Sequence, residues 1–406
     1  MVLVVGGGAS GLMAACSAAL ALGGEIAVLE KNDRVGKKLL ATGNGRCNLT
    51  NLGASPSCYH GKSPEFAFQA LKMFGPKETL DYFHSIGLVT REEEDGRIYP
   101  RCGQASAVLD VLRNELSRKG ARILVGEAKS LRVRGGRFSV LTDNGQHWAD
   151  KVIIATGGKA SSALGSDGSG YPLLQSLGHE ILPAYPALAP IETTSAHAKA
   201  LSGLRVKGTA SIERGGKTVS SRAGEILFAS GRLSGIAIMD LAIYARELPC
   251  DVCIDLMPEM SESEVANFLI DRAAQLSDLL AEQFFIGCFQ RMLGQVIIKS
   301  AGVEASMPVS QLSRNHMEAL ARQIKRLRFP VLSVAGFKSA QATLGGAATS
   351  GFCPDTCESL SVKGLFAAGE VLDICGDCGG FNLQWAWSSG WVAGRAAAKD
   401  VLQNRK

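Results

Sequence analysis

"VLVVGGGASGLMAACSAALALGGEIAVLEKN", residues 2–32, decides the fold of this chain. Four apolar residues, Val2 to Val5, predict a buried strand. Gly6-x-Gly8-x-x-Gly11 follows, then an Ala-rich helix, then a second strand from Ile26 to Leu29 that ends on Glu30. Each part has a mechanical role in a dinucleotide-binding βαβ unit. Gly6 allows the tight turn, Gly8 lets the backbone approach a pyrophosphate, and Gly11 lets the helix pack closely on the sheet. At the helix start, the amides of Ala9 and Ser10 present unpaired donors and a positive dipole end to phosphate. Glu30 lies nineteen residues after Gly11, where a carboxylate accepts hydrogen bonds from an adenosine ribose. The same carboxylate disfavours a 2′-phosphate, so FAD or NAD is expected rather than NADP.

Two later stretches choose between them. "KVIIATGGKA" (151–160) reads as a buried strand running into Ala155-Thr156-Gly157, and "GLFAAGEVLD" (364–373) as another ending in Gly369-Glu370. Such strand ends resemble those of FAD-binding folds, where the first returns the chain to the cofactor and the second sets a carboxylate beside the ribityl chain and pyrophosphate. An NAD domain has no evident need for a cofactor contact more than 350 residues after its fingerprint. FAD, extending through a domain that the C-terminus closes, does.

Composition narrows the class. With 406 residues, 46% hydrophobic and 20% charged, the chain is globular and long enough for two domains or three lobes. A formal charge of +5 permits an anionic partner without requiring one. Eleven cysteines are an odd number for a disulfide framework, and they fit a reducing compartment. That removes most of the weight from the sequon Asn48-Leu49-Thr50. The apolar N-terminal run mimics a signal peptide ending near Cys16. It has no preceding Lys or Arg, is broken by glycines and is too short to span a membrane. A cytoplasmic protein is expected.

The expected fold class is α/β: a discontinuous Rossmann-like FAD-binding domain with two inserted lobes. Its halves are residues 1–186 and 335–406, and "ARILVGEAKSLRVRGGRFSVLTDNGQHWADKVIIAT" within the first predicts a β-meander turning at Gly135-Gly136 and Asn144-Gly145. Residues 187–258 alternate short apolar runs with turn signals and predict a β-rich substrate lobe. Residues 259–334 open on the Ser261-Glu262-Ser263-Glu264 cap and read as a helical lobe stopped by Pro330. No second strand-GxGxxG-helix unit appears, so any nicotinamide donor binds without its own Rossmann domain. GxSxG, HExxH and a close histidine pair are all absent, so hydrolase, zinc-protease and metal-site readings lack their parts.

"LLATGNGRCNLTN" (39–51), "GRIYPRCGQASAVLDVL" (96–112), "GEILFASGRLSG" (224–235) and "GLFAAGEVLDICGDCGGFNLQWAWSSG" (364–390) complete the pattern. With them the chain resembles, over nearly its whole length, the BaiN/aminoacetone-oxidase-like FAD-binding flavoproteins. The resemblance implies two-electron flavin chemistry on a Rossmann-like domain carrying a β-lobe and a helical lobe. Members are linked to reduction of conjugated C=C bonds in steroid-like enones, oxidation of small aminoketones, and reduction of uridine to dihydrouridine in ribosomal RNA. One departure stands out: Ala229-Ser230 occupies a place where relatives often carry Thr-His. On motif and resemblance together, the cofactor set is Gly6, Gly8, Ala9, Ser10, Gly11, Glu30, Lys31, Lys38, Thr42, Gly43, Gly45, Ala128, Ala155, Thr156, Gly157, Gly369, Glu370, Asp373, Gly380, Asn382 and Leu383.

Chemistry beyond binding falls on few residues. The turn before "FNLQWAWSSG" opens a helix whose first amides, near Gly379 to Leu383, suit the negative charge of a reduced flavin. Arg46 is a candidate to stabilise an anionic flavin or an enolate oxygen, and Cys47 a candidate to deliver a proton opposite the hydride. The alternatives are an ion-pair partner and a buried filler. Cys375-x-x-Cys378 invites a redox-dithiol reading, and Cys250-x-x-Cys253 sits on a strand where residues three apart face opposite sides. Arg322, Lys325, Arg326 and Arg328, with Lys338 beyond, form a basic run of the kind an RNA substrate needs, or a solvated helix face.

Three functions follow. The first is a reductase in which NAD(P)H reduces FAD and a hydride passes to an activated C=C bond, of a small enone or a uracil ring in ribosomal RNA. The second is an oxidase of a small aminoketone or amine with O₂ as acceptor. The third is a flavin-containing RNA-binding protein without turnover.

Overall fold

The computed structural model describes residues 1–405. They form two compact units, one of residues 1–187 with 337 onward and one of Leu188–Gly336.

The first unit is built on a parallel five-stranded sheet. Its strands are β1 (Val2–Val5), β2 (Ile26–Glu30), β3 (Arg122–Val125), β4 (Lys151–Ile154) and β5 (Leu365–Ala367), in spatial order β5-β4-β1-β2-β3. Strands buried on both faces should read as continuous apolar runs; β1 does so, β2 does so up to its last residue Glu30 and β4 after its first residue Lys151, and every residue of the three is buried. β1 pairs in register with both neighbours, Val2 opposite Ile26 and Lys151. The chain order reverses between β1 and β4, which places the ligand crevice outside their carboxyl ends.

Two helices cover one face. α1 (Ala9–Leu22) is buried without interruption from Ser10 to Ala19, and the C-terminal helix α2 (Phe381–Gln403) packs along it. Glycine makes this packing possible. A Cβ on Gly390 would stand 2.4 Å from the Ser10 carbonyl oxygen, and one on Gly394 would stand 2.2 Å from that of Ala14. Ser17 Oγ donates to the Trp391 carbonyl at 2.8 Å across the same contact. The expected meander forms antiparallel strands Ala128–Arg134, Arg137–Thr142 and Gly145–Ala149.

The second unit is a closed six-stranded antiparallel barrel with its own core, including Ile212, Phe228, Val252 and Phe329. The separation of residues 187–258 from 259–334 needs correction. Leu327–Val334, which lies beyond the helices, pairs with both Asp251–Asp255 and Ile191–Thr193 and closes the barrel. The β-rich and helical stretches are therefore one unit. The helix at Glu262–Gln275 starts on the predicted cap: Ser261 Oγ accepts from the Glu264 amide, and Glu264 Oε2 accepts from the Ser261 amide. Among the described residues no helix is long and apolar enough to cross a membrane.

Because the clash at Gly394 is with backbone rather than a mobile side chain, Gly394→Val should destabilise the first unit by roughly 1–3 kcal/mol or more. A urea midpoint lowered relative to the parent checks this, and an unchanged midpoint would show that the two helices separate at little cost.

Candidate functional site

The crevice predicted by strand order is a cleft, open to solvent, at the carboxyl ends of β1 and β4. Its floor is the glycine turn. Gly6 has φ +106°, and a Cβ there would sit 2.4 Å from the Ala155 carbonyl oxygen; one on Gly11 would sit 1.9 Å from the Gly6 carbonyl. Gly8 has nothing within 4 Å of its Cβ position, so the backbone is bare toward the cleft. The first bond within α1 is donated by Leu12 to Gly8 at 2.9 Å, which leaves the amides of Ala9, Ser10 and Gly11 without a partner inside the helix.

Glu30 ends β2 and is fixed before any ligand arrives. Its Oε2 accepts from the Gly7 amide at 2.8 Å, and Oε1 accepts from the backbone and side-chain nitrogens of Asn32 at 2.8 and 2.6 Å. On the opposite wall Glu370 Oε2 pairs with Lys38 Nζ at 2.7 Å, while Oε1 is buried without a hydrogen-bond partner. Thr42, Asn382 and Leu383 line the same cleft, so the first turn of α2 faces it as well. A smaller recess shares Gly6, Glu30 and Thr156 with the main cleft and adds Lys31 and Ala128.

The start of α2 is held by a buried polar network. Gln384 Nε2 donates to the Phe74 carbonyl and to Thr79 Oγ1, each at 3.0 Å, and its Oε1 accepts from Thr50. Trp387 Nε1 donates to the Leu49 carbonyl at 2.8 Å. The segment 39–51 is thereby tied to the C-terminal helix. Asn48 is 9% exposed, so the sequon does not lie on an open surface.

These donors fit FAD. Two sets of helix-start amides and Lys38 suit a pyrophosphate, the bare backbone at Gly8 admits its close approach, and Glu30 suits a ribose. Of the predicted set, Gly6, Gly8, Ala9, Ser10, Glu30, Lys38, Thr42, Ala155, Thr156, Gly157, Glu370, Asn382 and Leu383 line the main cleft. Gly11 and Gly369 act from behind it, since a Cβ on Gly369 would meet Ser10 Oγ at 2.4 Å. Gly43, Gly45 and Gly380 have left-handed backbones, φ +57°, +81° and +106°, and serve the turns that flank it. Asn382 contributes backbone rather than side chain: its amide group is spent on Gly376, accepting from the nitrogen at 2.9 Å and donating to the oxygen at 2.7 Å. Lys31 is paired with Asp167 at 2.6 Å.

Some assignments need correction. Asp373 does not line the cleft; its carboxylate accepts from the amides of Gly345 and Lys62 at 2.8 and 2.7 Å and braces two loops. Arg46 is ion-paired with Glu93 and lies 4.2 Å from the Tyr99 ring centroid, the structural alternative foreseen for it. Cys47 is wholly buried at φ +58° and is not part of the cleft wall. Burial pushes its thiol up to about 12, which makes it a poor proton donor. The basic run is largely committed: Lys325 bonds Asp255 and the Met257 carbonyl, each at 2.7 Å, Arg326 pairs with Glu213, and Arg328 pairs with Asp251 at 2.6 Å. None of the eleven cysteines is in a disulfide.

Sequence reading missed Asn32, Gly36, Leu164, Ser166, Gln341 and Trp385 in the cleft wall. Asn32 carried a signal, standing two residues after Glu30 where its donors reach that carboxylate. Gln341 carried none, because only tertiary folding brings it to the site.

A dinucleotide cleft whose second wall comes from the far end of the chain belongs to the FAD-dependent oxidoreductases. Comparison with known proteins agrees. Residues 1–396 match the family described as HI0933-like protein Rossmann domain. The chain is 39% identical over 403 residues to the 3-dehydro-bile acid delta(4,6)-reductase of Clostridium scindens, covering 98% of each. It is 30% identical over 402 residues to the ribosomal RNA dihydrouridine synthase of Haemophilus influenzae, covering 96% of each. Among solved structures, the 3-ketosteroid delta1-dehydrogenase of Sterolibacterium denitrificans matches with a TM-score of 0.53 at 13% identity, over 98% of this chain and 99% of that one; this likeness is one of fold. The chain belongs to the HI0933-like Rossmann family, and it is a FAD-dependent oxidoreductase.

Gly8→Asp, which places a carboxylate where the backbone is bare, should leave the fold intact and yield protein without the flavin absorbance near 450 nm; retained FAD would contradict the pyrophosphate assignment. Cys47 should resist alkylation in the native protein at pH 8.5 and react in urea. Its folded-state thiol titrates above the unfolded value of 9.0, so its contribution to stability is complete below pH 9 and falls as pH rises toward 12. Cys47→Ser should flatten that alkaline loss, as measured by denaturation at pH 8 and pH 10.5.

Proposed function

We propose that this oxidoreductase reduces a carbon–carbon double bond conjugated to a carbonyl, with a nicotinamide as hydride donor. The observation that carries the reading is whole-length similarity, 39% over 98% of both chains, to a protein named as a reductase of a 3-dehydro bile acid. A second reading, with the uracil ring of ribosomal RNA as substrate, draws support from the dihydrouridine synthase at 30%. The two share one chemistry, since a steroid enone and a uracil ring both present an α,β-unsaturated carbonyl.

FAD, when bound, supplies two-electron hydride chemistry. The chain's own residues hold it and shape the electrostatics. The amides of Ala9 to Gly11 and Lys38 neutralise phosphate charge, Glu30 orients the ribose, and the amides at the start of α2 favour negative charge at the cleft end they face. Carboxylates on both walls are immobilised by neighbours, so the site is organised before binding. The raised thiol of Cys47 disfavours it as the proton source. Reduction of C=C still requires a proton at the carbon opposite the hydride, and solvent or a substrate-side group fills that role in this reading.

The test is anaerobic turnover of the holoenzyme with NADH or NADPH, offered a 3-oxo-4,6-diene steroid or a uridine-containing ribosomal RNA fragment. Mass spectrometry should show the gain of two hydrogens by one of them. Oxygen consumption with a small aminoketone, and no reduction of either alkene, would overturn the reading. Cys47→Ser should keep more than half of the parent turnover; a loss beyond about 100-fold, the low end for a general acid, would restore Cys47 to the chemistry.

A further inference from the structure

The outer face of the meander carries an unexplained surface. Register fixes which side chains share it: Arg132, Ser139 and Trp148 form one row across the three strands, Arg134 and Arg137 the next, and Ser130 and Leu141 with Gln146 the third. The opposite face, with Leu131, Phe138 and Val140, is buried in the core. The three rows thus hold three arginines and a tryptophan and no acidic residue of their own; Asp150, just beyond the last strand, brings a carboxylate to Arg137. Arg132 and Arg134 are exposed and make no ion pair with any described residue, while Arg137 shares Asp150 at 2.9 Å with the N-terminal ammonium. Trp148 is 38% and Leu141 48% exposed.

The central row has a particular shape. Ser139 is small and 7% exposed, and its hydroxyl accepts from Gln146 Nε2 at 2.5 Å, so it forms the floor between Arg132 and Trp148. Neighbouring strands lie about 4.8 Å apart. The guanidinium and the indole therefore flank a shallow trough roughly 10 Å across, twice that spacing. A cation on one side and an exposed aromatic side chain on the other is the pairing by which single-stranded nucleic acid is bound without sequence readout: backbone phosphate meets the arginine, and a base stacks on the ring. An exposed tryptophan beside two unpaired arginines also distinguishes this face from the 314–328 run, where Arg314, Lys325, Arg326 and Arg328 are each paired with a carboxylate.

We propose that the outer face of the 128–149 meander is a docking surface for single-stranded RNA, with Trp148 as the stacking platform and Arg132 and Arg134 as phosphate contacts. The proposal goes beyond the reductase reading and stands apart from it, because binding is measured without turnover.

The probe is a fluorescein-labelled twelve-nucleotide oligouridylate, titrated with holoenzyme and followed by fluorescence anisotropy between 50 and 200 mM KCl. Affinity should fall with salt. Arg132→Ala with Arg134→Ala should reduce the slope of log K against log[KCl] by about 1.4, two phosphate contacts at ~0.7 each. Trp148→Ala should weaken binding by at least about fivefold at constant salt, the low end of base–aromatic stacking. Full FAD absorbance in each variant shows that the fold survives. No binding at 50 mM KCl, or equal binding by parent and variants, would overturn the proposal. So would capture by phosphatidylglycerol vesicles with no affinity for the oligonucleotide, which would assign the face to a membrane surface.

Discussion

The contact between α1 and the C-terminal helix is the constraint on which the cofactor site depends. Gly390 and Gly394 leave room for the carbonyl oxygens of Ser10 and Ala14 where any side chain would collide with backbone. That approach brings residues nearly 400 positions apart onto the same face of one sheet. It also sets two helix starts, Ala9–Gly11 and Phe381–Leu383, against a single cleft. Each leaves amides that its own helix cannot satisfy, and each presents a positive dipole end. A ligand with negative charge along its length is what such a cleft complements.

Neither helix start is free to wander. α1 follows directly from a buried strand through a turn that only glycine can make, with Gly6 donating to Leu29 at 2.8 Å. α2 is held by Gln384, whose amide group is satisfied inside the protein by the carbonyl of Phe74 and the hydroxyls of Thr50 and Thr79. A buried amide with all partners present orients a helix strongly, because each lost bond would leave a polar group unsatisfied. Preorganisation of this kind lets the cleft select charge without rearranging.

Much of this was legible in the chain. Strand, Gly6, Gly8, Gly11, helix, strand and Glu30 form a local pattern, and each element depends on residues close in sequence. The return of the chain through Thr156 and Glu370 was readable through the resemblance of those strand ends to the ones in FAD-binding folds. What escaped depended on tertiary partners. Asp373 follows the same strand end as Glu370, yet the amides of Gly345 and Lys62 claim its carboxylate. Arg46 and Cys47 sit in a glycine turn, but Glu93 and the core claim their side chains. Pro330 looked like a helix stop that closed a lobe, when it lies on the strand that seals the barrel. The basic run looked like an RNA contact because its acidic partners, Glu213, Asp251 and Asp255, lie 70 or more residues upstream.

The central claim is that both helix starts hold the same bound dinucleotide. Amide hydrogen exchange, measured on apoprotein and on protein reconstituted with FAD, tests it most directly. Protection should rise on FAD binding at Ala9 to Gly11 and, in the same sample, at Phe381 to Leu383. Protection confined to the first segment, with exchange at the start of α2 unchanged, would contradict the account.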